Sequence, residues 1–185
     1  MKPIETTRTI LRELTADDAE FMLDLLNQPS FIKYIGDRNV RNVEQARDYI
    51  ETRFIASYKK FGFGLYLVEL KNDYEENTSE SKLIKSKIQN PKSKIGINGF
   101  VKRDSLPDAD IGFAFLPQYC GQGYAVESAH AVMQYGKDIL GLKRVLAITS
   151  QDNESSGKLL EKIGLKFEKL ILQPPDTEEL KLFST

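Results

Sequence analysis

Phe113-Ala-Phe-Leu-Pro-Gln-Tyr-Cys-Gly-Gln-Gly-Tyr-Ala-Val-Glu-Ser-Ala-His-Ala-Val-Met133 is the stretch that decides the reading of this chain. An apolar strand runs into Pro117, a turn punctuated by Gly121 and Gly123 follows, and an amphipathic helix starts directly behind it. The first turn of a helix leaves backbone N–H groups without intrahelical partners and carries the positive end of the aligned peptide dipoles. That order of elements therefore makes an anion site. Gly121 and Gly123 let the backbone curl around a phosphate with no side chain in the way. Taken alone, the two glycines are equally compatible with an ordinary strand-to-helix turn.

The flanking segments supply the scaffold. Ile111 to Leu116 is mostly apolar and is expected to be a strand buried on both faces. Arg144 to Thr149 reads as another buried strand, and Asn153 to Ile163 as a helix that Asn153 caps and Gly164 ends. Upstream, Phe63 to Leu70 and Ile95 to Val101 read as strands, with a short one over Thr9 to Glu13. Thr15, with Asp18 three residues on, marks a helix start; Ala19, Met22, Leu23 and Leu26 form its apolar face, and it ends before Pro29. A second early helix is predicted over roughly Val43 to Tyr58 on the stripe Val43, Ala46, Ile50 and Phe54. Downstream, Leu165 to Leu172 and Glu179 to Phe183 are the final strands, around the turn Gln173-Pro174-Pro175-Asp176. The sum is a mixed α/β domain, strand-rich in the middle, with two helices inserted early.

Lys71 to Lys94 breaks the pattern. It carries four acidic residues between Asp73 and Glu80 and five lysines from Lys82 to Lys94, with little to bury. It reads as a polar surface insertion between two hairpin strands, or alternatively as a lid or partner-binding arm.

With 26 basic and 27 acidic residues the net charge is -1, so no overall field points to nucleic acid or an anionic membrane. The 185 residues fit one domain with a real core, and 41% hydrophobic with 29% charged residues is ordinary for a soluble globular protein. Cys120 is the single cysteine, which favours a reducing compartment. The N-terminus has no apolar core of a signal peptide, and no apolar run approaches the length of a membrane span, so a cytoplasmic location is expected.

Several phosphate and metal chemistries fail on the residues. A Walker A loop needs Gly-Lys-Ser/Thr, and here Tyr124-Ala125 follows Gly123. A dinucleotide fingerprint needs a third glycine where Val126 stands. His130 is the only histidine, with no ligand spacing to Cys120 and no nucleophile pattern near it, so no metal is expected; a polar-face or partly buried helix position is.

Gln118-x-x-Gly121-x-Gly123-Tyr124-Ala125 resembles the Gln/Arg-x-x-Gly-x-Gly/Ala motif of the GNAT acyl-CoA N-acyltransferases. Residues 9–19, Ile95-Gly96-Ile97, Asp110-Ile111-Gly112-Phe113, Gly123 to Ser128 and Asn153-Glu154-Ser155-Ser156 with Glu161-Lys162-Ile163-Gly164-Leu165 are similar, in order, to the RimJ/RimL-like branch, named for enzymes that acetylate ribosomal-protein N-termini. The resemblance implies a single domain over 1–185 with a polar insertion at about 71–94. Its central sheet would be mixed and mostly antiparallel, with two splayed parallel strands and flanking helices.

It also implies acetyl-CoA as acyl-donor cosubstrate and an amine as acceptor, with direct attack of the amine on the thioester. The alternative is an acyl-CoA-binding sensor or interaction domain that has lost catalysis. On this reading pantetheine pairs with backbone around Phe113, Phe115 and Leu116. Diphosphate sits on N–H groups from Gln118 through Gly121, Gln122, Gly123 and Tyr124 to Ala125, and Asn153 contacts the pantetheine amide while capping its helix. A neutral amine is needed, and a carboxylate can take its proton. Asp110 is the first candidate, the alternative being a solvent-facing strand-end aspartate. Glu127 is the second, with a role in orienting backbone or in a polar network favoured. Many relatives use a tyrosine at the position of Leu160 to protonate the thiolate. Here Ser156 stands in that neighbourhood, either as donor to sulfur or as an N3 serine helping the cap. Residues Gln28 to Val43 lie on the acceptor side, where Phe31, Tyr34, Asp37 and Arg38 are candidate pocket formers; a protein N-terminus, a polyamine and an antibiotic amine all stay open. Dimerisation is common in the family, so a homodimer is compatible with it.

Overall fold

In the computed structural model, residues 2–71, 93–172 and 179–185 are described; most of the expected insertion and the turn at Gln173 to Asp176 lie outside them. Eight strands form one sheet: β1 (Ile4–Glu5), β2 (Thr9–Arg12), β3 (Leu65–Leu70), β4 (Lys94–Val101), β5 (Asp110–Phe115), β6 (Leu146–Ser150), β7 (Lys166–Leu172) and β8 (Glu179–Ser184). Their order across the sheet is β1-β2-β3-β4-β5-β6-β8-β7. Every neighbouring pair is antiparallel except β5 and β6, which run parallel. The mixed, mostly antiparallel sheet with a parallel pair at its centre is the one expected.

Alternation along β3 shows how two cores form. Tyr66, Val68 and Leu70 point to one face, where they meet α5 (Tyr124–Asp138) and α6 (Glu154–Lys162). Leu65 and Leu67 point to the other, against α1 (Ala19–Leu26), α2 (Pro29–Ile35), α3 (Val43–Tyr49) and the helical segments that follow it. Period-2 side chains on a sheet covered by helices on both faces account for nearly every buried apolar residue. α5 sits close on the sheet because Gly136 faces Phe100 of β4: a Cβ there would lie 2.5 Å from the ring. Any larger residue there must shift the Phe100 ring or the helix that begins at the glycine turn.

The second early helix runs further than expected. α3 continues through a π-helical turn at Ile50–Ile55 into α4 (Ala56–Phe61). The apolar positions Ala46, Ile50, Phe54 and Tyr58 recur every four residues, a spacing that drifts round a 3.6-residue helix. A wider turn in the middle, with its i→i+5 bonding, rotates the stripe back towards the core. Ala46, Ile50 and Phe54 are buried, and the Tyr58 hydroxyl donates to the Leu65 carbonyl.

α2 was not expected. Pro29 reads in sequence as the stop of α1, and it is also the first residue of α2, where its missing N–H and fixed φ suit a helix start. Two turns are too short to be marked by periodicity. What holds α2 is the burial of Phe31 beneath it. Among the described residues no helix is long and apolar enough to cross a membrane.

Candidate active site

β5 pairs along its whole length with β4, from Asp110↔Val101 to Phe115↔Gly96. Its other edge meets β6 only at Asp110↔Leu146, while β6 is bound along its length by β8. The two parallel strands therefore part beyond Asp110 and open a wedge towards their C-terminal ends. Along that edge β5 presents backbone amides and carbonyls with no strand opposite, which an extended ligand can take up as a partner strand would. This corrects the expectation that β5 is buried on both faces: Gly112, Phe113 and Ala114 are half-exposed because they line the wedge.

The wedge leads into the glycine turn. After β5 the chain makes a 3-10 turn at Pro117–Tyr119, then Gly121 at φ +76° and Gly123 at φ +85°, and Gly123 is the N-cap of α5. Both are backbone conformations that L side chains rarely adopt. The first α5 bond is from Glu127 N to Gly123 O at 3.0 Å. Among the described residues, no amide from Gly121 to Val126 donates to a backbone carbonyl. Six consecutive N–H groups without backbone partners thus lie at the positive end of a four-turn helix, at the turn where the sequence leads one to expect an anion site.

Phe113, Phe115, Gly121, Gly123, Ala125, Asn153, Ser156, Asp110, Phe31 and Tyr34 all line one continuous cleft. It encloses about 1680 Å³, beyond the ~300–1,000 Å³ of a single small-molecule pocket, which leaves room for two reactants. Four expected donor contacts lie outside that lining. Leu116 is buried in the α1–α3 core, and Tyr124 is buried under the Arg8 guanidinium, 4.4 Å above its ring. Gln118 and Gln122 are exposed and brace the turn, with Gln122 Nε2 donating to Gln118 O at 2.7 Å. The Leu116 amide donates to Ile95 O of β4 and its carbonyl accepts from Tyr119 N, both at 2.9 Å, so its backbone is committed within the fold, which departs from the expectation that it pairs with a ligand.

Asp110 is 1% exposed, which overturns its reading as a solvent-facing aspartate. Burial raises its pKa, and the Arg103 side chain, with Nε 3.1 and 3.2 Å from the two carboxylate oxygens, only partly opposes this. The result is a carboxyl poised above its ordinary range. Asn153 caps α6: Oδ1 accepts from Ser156 N at 3.2 Å and from Ser155 Oγ at 2.9 Å. The cap uses the Ser156 amide, so its hydroxyl is not what holds the helix end. Leu160 is 1% exposed and packs in the core beneath α6. His130 lies exposed on α5. Glu127 sits in a polar network, accepting from Thr6 Oγ1, Arg8 N and Arg8 Nε at 2.6–2.7 Å.

Of the residues expected to shape the acceptor pocket, Phe31 is mostly in the core and shows only an edge to the cleft, while Tyr34 is half-exposed. Lys33 Nζ reaches Tyr34 OH at 3.0 Å and Asp152 at 2.9 Å, joining α2 to the turn before α6. Asp37 is taken by Arg41, and Arg38 donates to Ile35 O. Residues 8–166 match the family model described as an acetyltransferase (GNAT) domain.

The chain belongs to the GNAT acetyltransferase family.

This GNAT chain is 31% identical over 170 residues to the uncharacterized N-acetyltransferase YoaA of Bacillus subtilis strain 168, covering 92% of this chain and 86% of that one. Solved acetyltransferase structures share its fold. RimL, a ribosomal L7/L12 α-N-protein acetyltransferase solved with coenzyme A, superposes with TM-score 0.76 at 16% identity over 100% of this chain and 97% of that one. Spermidine N-acetyltransferase from Vibrio cholerae, solved with CoA and spermine, superposes with TM-score 0.71 at 15% identity over 96% and 94%.

Two sets of residues at the cleft and the glycine turn have no signal in the sequence. Thr52 and Arg53 face the cleft from the π-helical stretch and Tyr49 from the end of α3 just before it, and a π turn cannot be read from the 3.6-residue pattern. Arg103 and Arg8 reach the site from connecting segments, so no periodicity marks them.

Proposed function

We propose that this protein transfers acetyl from acetyl-CoA to a primary amine by direct attack, as a single GNAT domain of the RimJ/RimL-like branch. One observation carries the donor half. The unpaired edge of β5 runs straight into six amides without backbone partners at the head of α5, so a strand-like surface is continuous with an anion cradle. A ligand with an amide-bearing extended arm ending in a diphosphate fits that continuity, and acetyl-CoA is such a ligand. Phe113 and Phe115 would hold the arm by backbone, Leu116 being bonded to Ile95 and Tyr119 instead, while the turn from Gln118 to Ala125 would take the diphosphate and Asn153 the pantetheine amide.

Acetyl-CoA supplies the activated acyl group; the chain supplies position and proton handling. Asp110 at the root of the wedge takes the proton that the amine must lose, directly or through water. A carboxyl with a raised pKa is better matched to that task near neutrality than a surface aspartate. Ser156 Oγ is the donor for the departing sulfur. Much of the rate comes from holding amine and thioester together in the cleft.

The buried Leu160, in place of a tyrosine, favours the second reading of an acyl-CoA sensor. Relatives of this fold named for protein N-termini and for a polyamine leave both acceptor classes in play. An acetyl-transfer screen against ribosomal-protein N-terminal peptides and small amines tests the proposal. Acetylation of one class with kcat/KM above about 10⁴ M⁻¹s⁻¹ supports it. CoA binding with no transfer to any amine supports the sensor.

A further inference from the structure

From Pro117 to Ala125 the glycine turn contains no lysine or arginine, and the first position of its motif is the neutral Gln118. A diphosphate bound there would meet backbone amides but no cation from the turn itself. The structure delivers one from elsewhere. Arg8, in the segment between β1 and β2, lays its guanidinium over the Tyr124 ring at 4.4 Å and donates from Nη1 to Gln122 O at 3.0 Å. Its Nη2 lies 3.2 Å from where a Cβ on Gly123 would stand. The group is fixed from behind by Glu127, which accepts from Arg8 Nε at 2.6 Å and from the Arg8 backbone amide at 2.7 Å. We infer that Arg8 is a binding residue for the diphosphate of the donor, presenting Nη2 beside the amides of the turn.

Three features of the arrangement support this. A guanidinium held by one carboxylate and one carbonyl has its plane and remaining N–H edge preset, so little freedom is lost when an oxyanion arrives. The side chain is 28% exposed, open enough for a ligand to reach. Glu127 alone would put a negative charge in the first turn of α5, against an incoming phosphate; Arg8 cancels it. The same contacts give Gly123 a second reason to be glycine, because a side chain there would push the guanidinium away.

This inference rests on the donor-site reading above, and the test separates the two. Calorimetric titrations with CoA and with pantetheine, which lacks the diphosphate, are made on wild type, Arg8→Ala and Arg8→Lys, with unfolding midpoints measured without ligand. Arg8→Ala is expected to weaken CoA binding about 10- to 100-fold and to leave pantetheine binding unchanged. Arg8→Lys keeps the charge but cannot hold Glu127 and a phosphate oxygen together. It is expected to fall between wild type and Arg8→Ala for CoA, and it serves if the alanine variant does not fold. Wild-type CoA affinity in both variants, or equal weakening of CoA and pantetheine, overturns the inference. A wild type that binds no CoA overturns the donor-site reading itself.

Discussion

Arg103 Nε donates to both carboxylate oxygens of Asp110, at 3.1 and 3.2 Å, from the segment linking β4 to the first residue of β5. This contact and burial act in opposite directions on the carboxyl at the point where β5 and β6 part. Burial disfavours the carboxylate and Arg103 favours it, with burial the larger effect. Asp110→Asn removes the proton acceptor at nearly constant volume, and kcat/KM is expected to fall about 100-fold or more, with acetyl-CoA affinity retained. Steady-state kinetics beside calorimetry check this, and undiminished kcat/KM would remove Asp110 from the mechanism.

The same pair predicts a pH effect of known sign. Replacing Arg103 with Gln removes the largest opposition to burial and leaves only a backbone hydrogen bond and the more distant Lys102 charge, so the Asp110 pKa rises further and the base is protonated up to a higher pH. The acidic limb of the kcat/KM–pH profile should move to higher pH in Arg103→Gln. An acidic limb that stays in place would show that this limb reports another group.

Gly123→Val places a β-branched side chain at φ +85°, with its Cβ a tight 3.2 Å from Arg8 Nη2, which has to shift. Acetyl-CoA affinity should drop by at least about 100-fold while circular dichroism still shows the fold. Gly121→Ala shares the positive φ but meets open space, so its loss should be smaller. Equal affinities of Gly123→Val and wild type would exclude the glycine turn as the diphosphate site.

Ser156→Ala separates chemistry from capping. The cap runs from Asn153 Oδ1 to the Ser156 amide, which alanine retains. Unfolding free energy should change by less than about 0.5 kcal/mol, whereas Asn153→Ala should cost about 1 kcal/mol. A fall in kcat for Ser156→Ala at unchanged stability assigns the hydroxyl to the reaction; an unchanged kcat removes it.

Asp18 carries the clearest acid-dependent contribution to stability. Burial pushes its pKa up, but hydrogen bonds from Arg12, Lys94 and the Thr15 amide outweigh this and hold the carboxyl well below the usual range. A depressed folded pKa means stability fully present above the unfolded value, near 4, and lost as pH falls below it towards the folded pKa. Asp18→Asn should lower stability at pH 7 by about 3 kcal/mol, a gap that narrows below about pH 4. Denaturant titrations at both pH values measure it, and a pH-independent gap would contradict the assignment.

Much of this architecture is legible from residues 113–133 outward, because strand, glycine turn and capped helix are local features. The six strands that the sequence reading placed from Thr9 to Leu172 appear within a few residues, and Asn153 caps α6 as read. The losses have physical causes. Pro29 closes one helix and opens another, so α2 is hidden in what looks like a single stop. The π turn at Ile50–Ile55 changes the helical period that sequence patterns assume. The half-exposure of β5 depends on β6 leaving it after one residue pair, a tertiary event. Arg8 is separated from the turn it touches by more than a hundred residues, and nothing local in Thr-Thr-Arg marks it.

Amine-dependent release of free CoA from acetyl-CoA, followed by thiol titration on wild type and Gly123→Val in parallel, tests the central claim most directly. The account predicts release by wild type that saturates with both acetyl-CoA and an amine, and a Gly123→Val enzyme crippled in acetyl-CoA KM. CoA binding without amine-stimulated release from any member of a broad amine panel, or release indifferent to Gly123→Val, would contradict it.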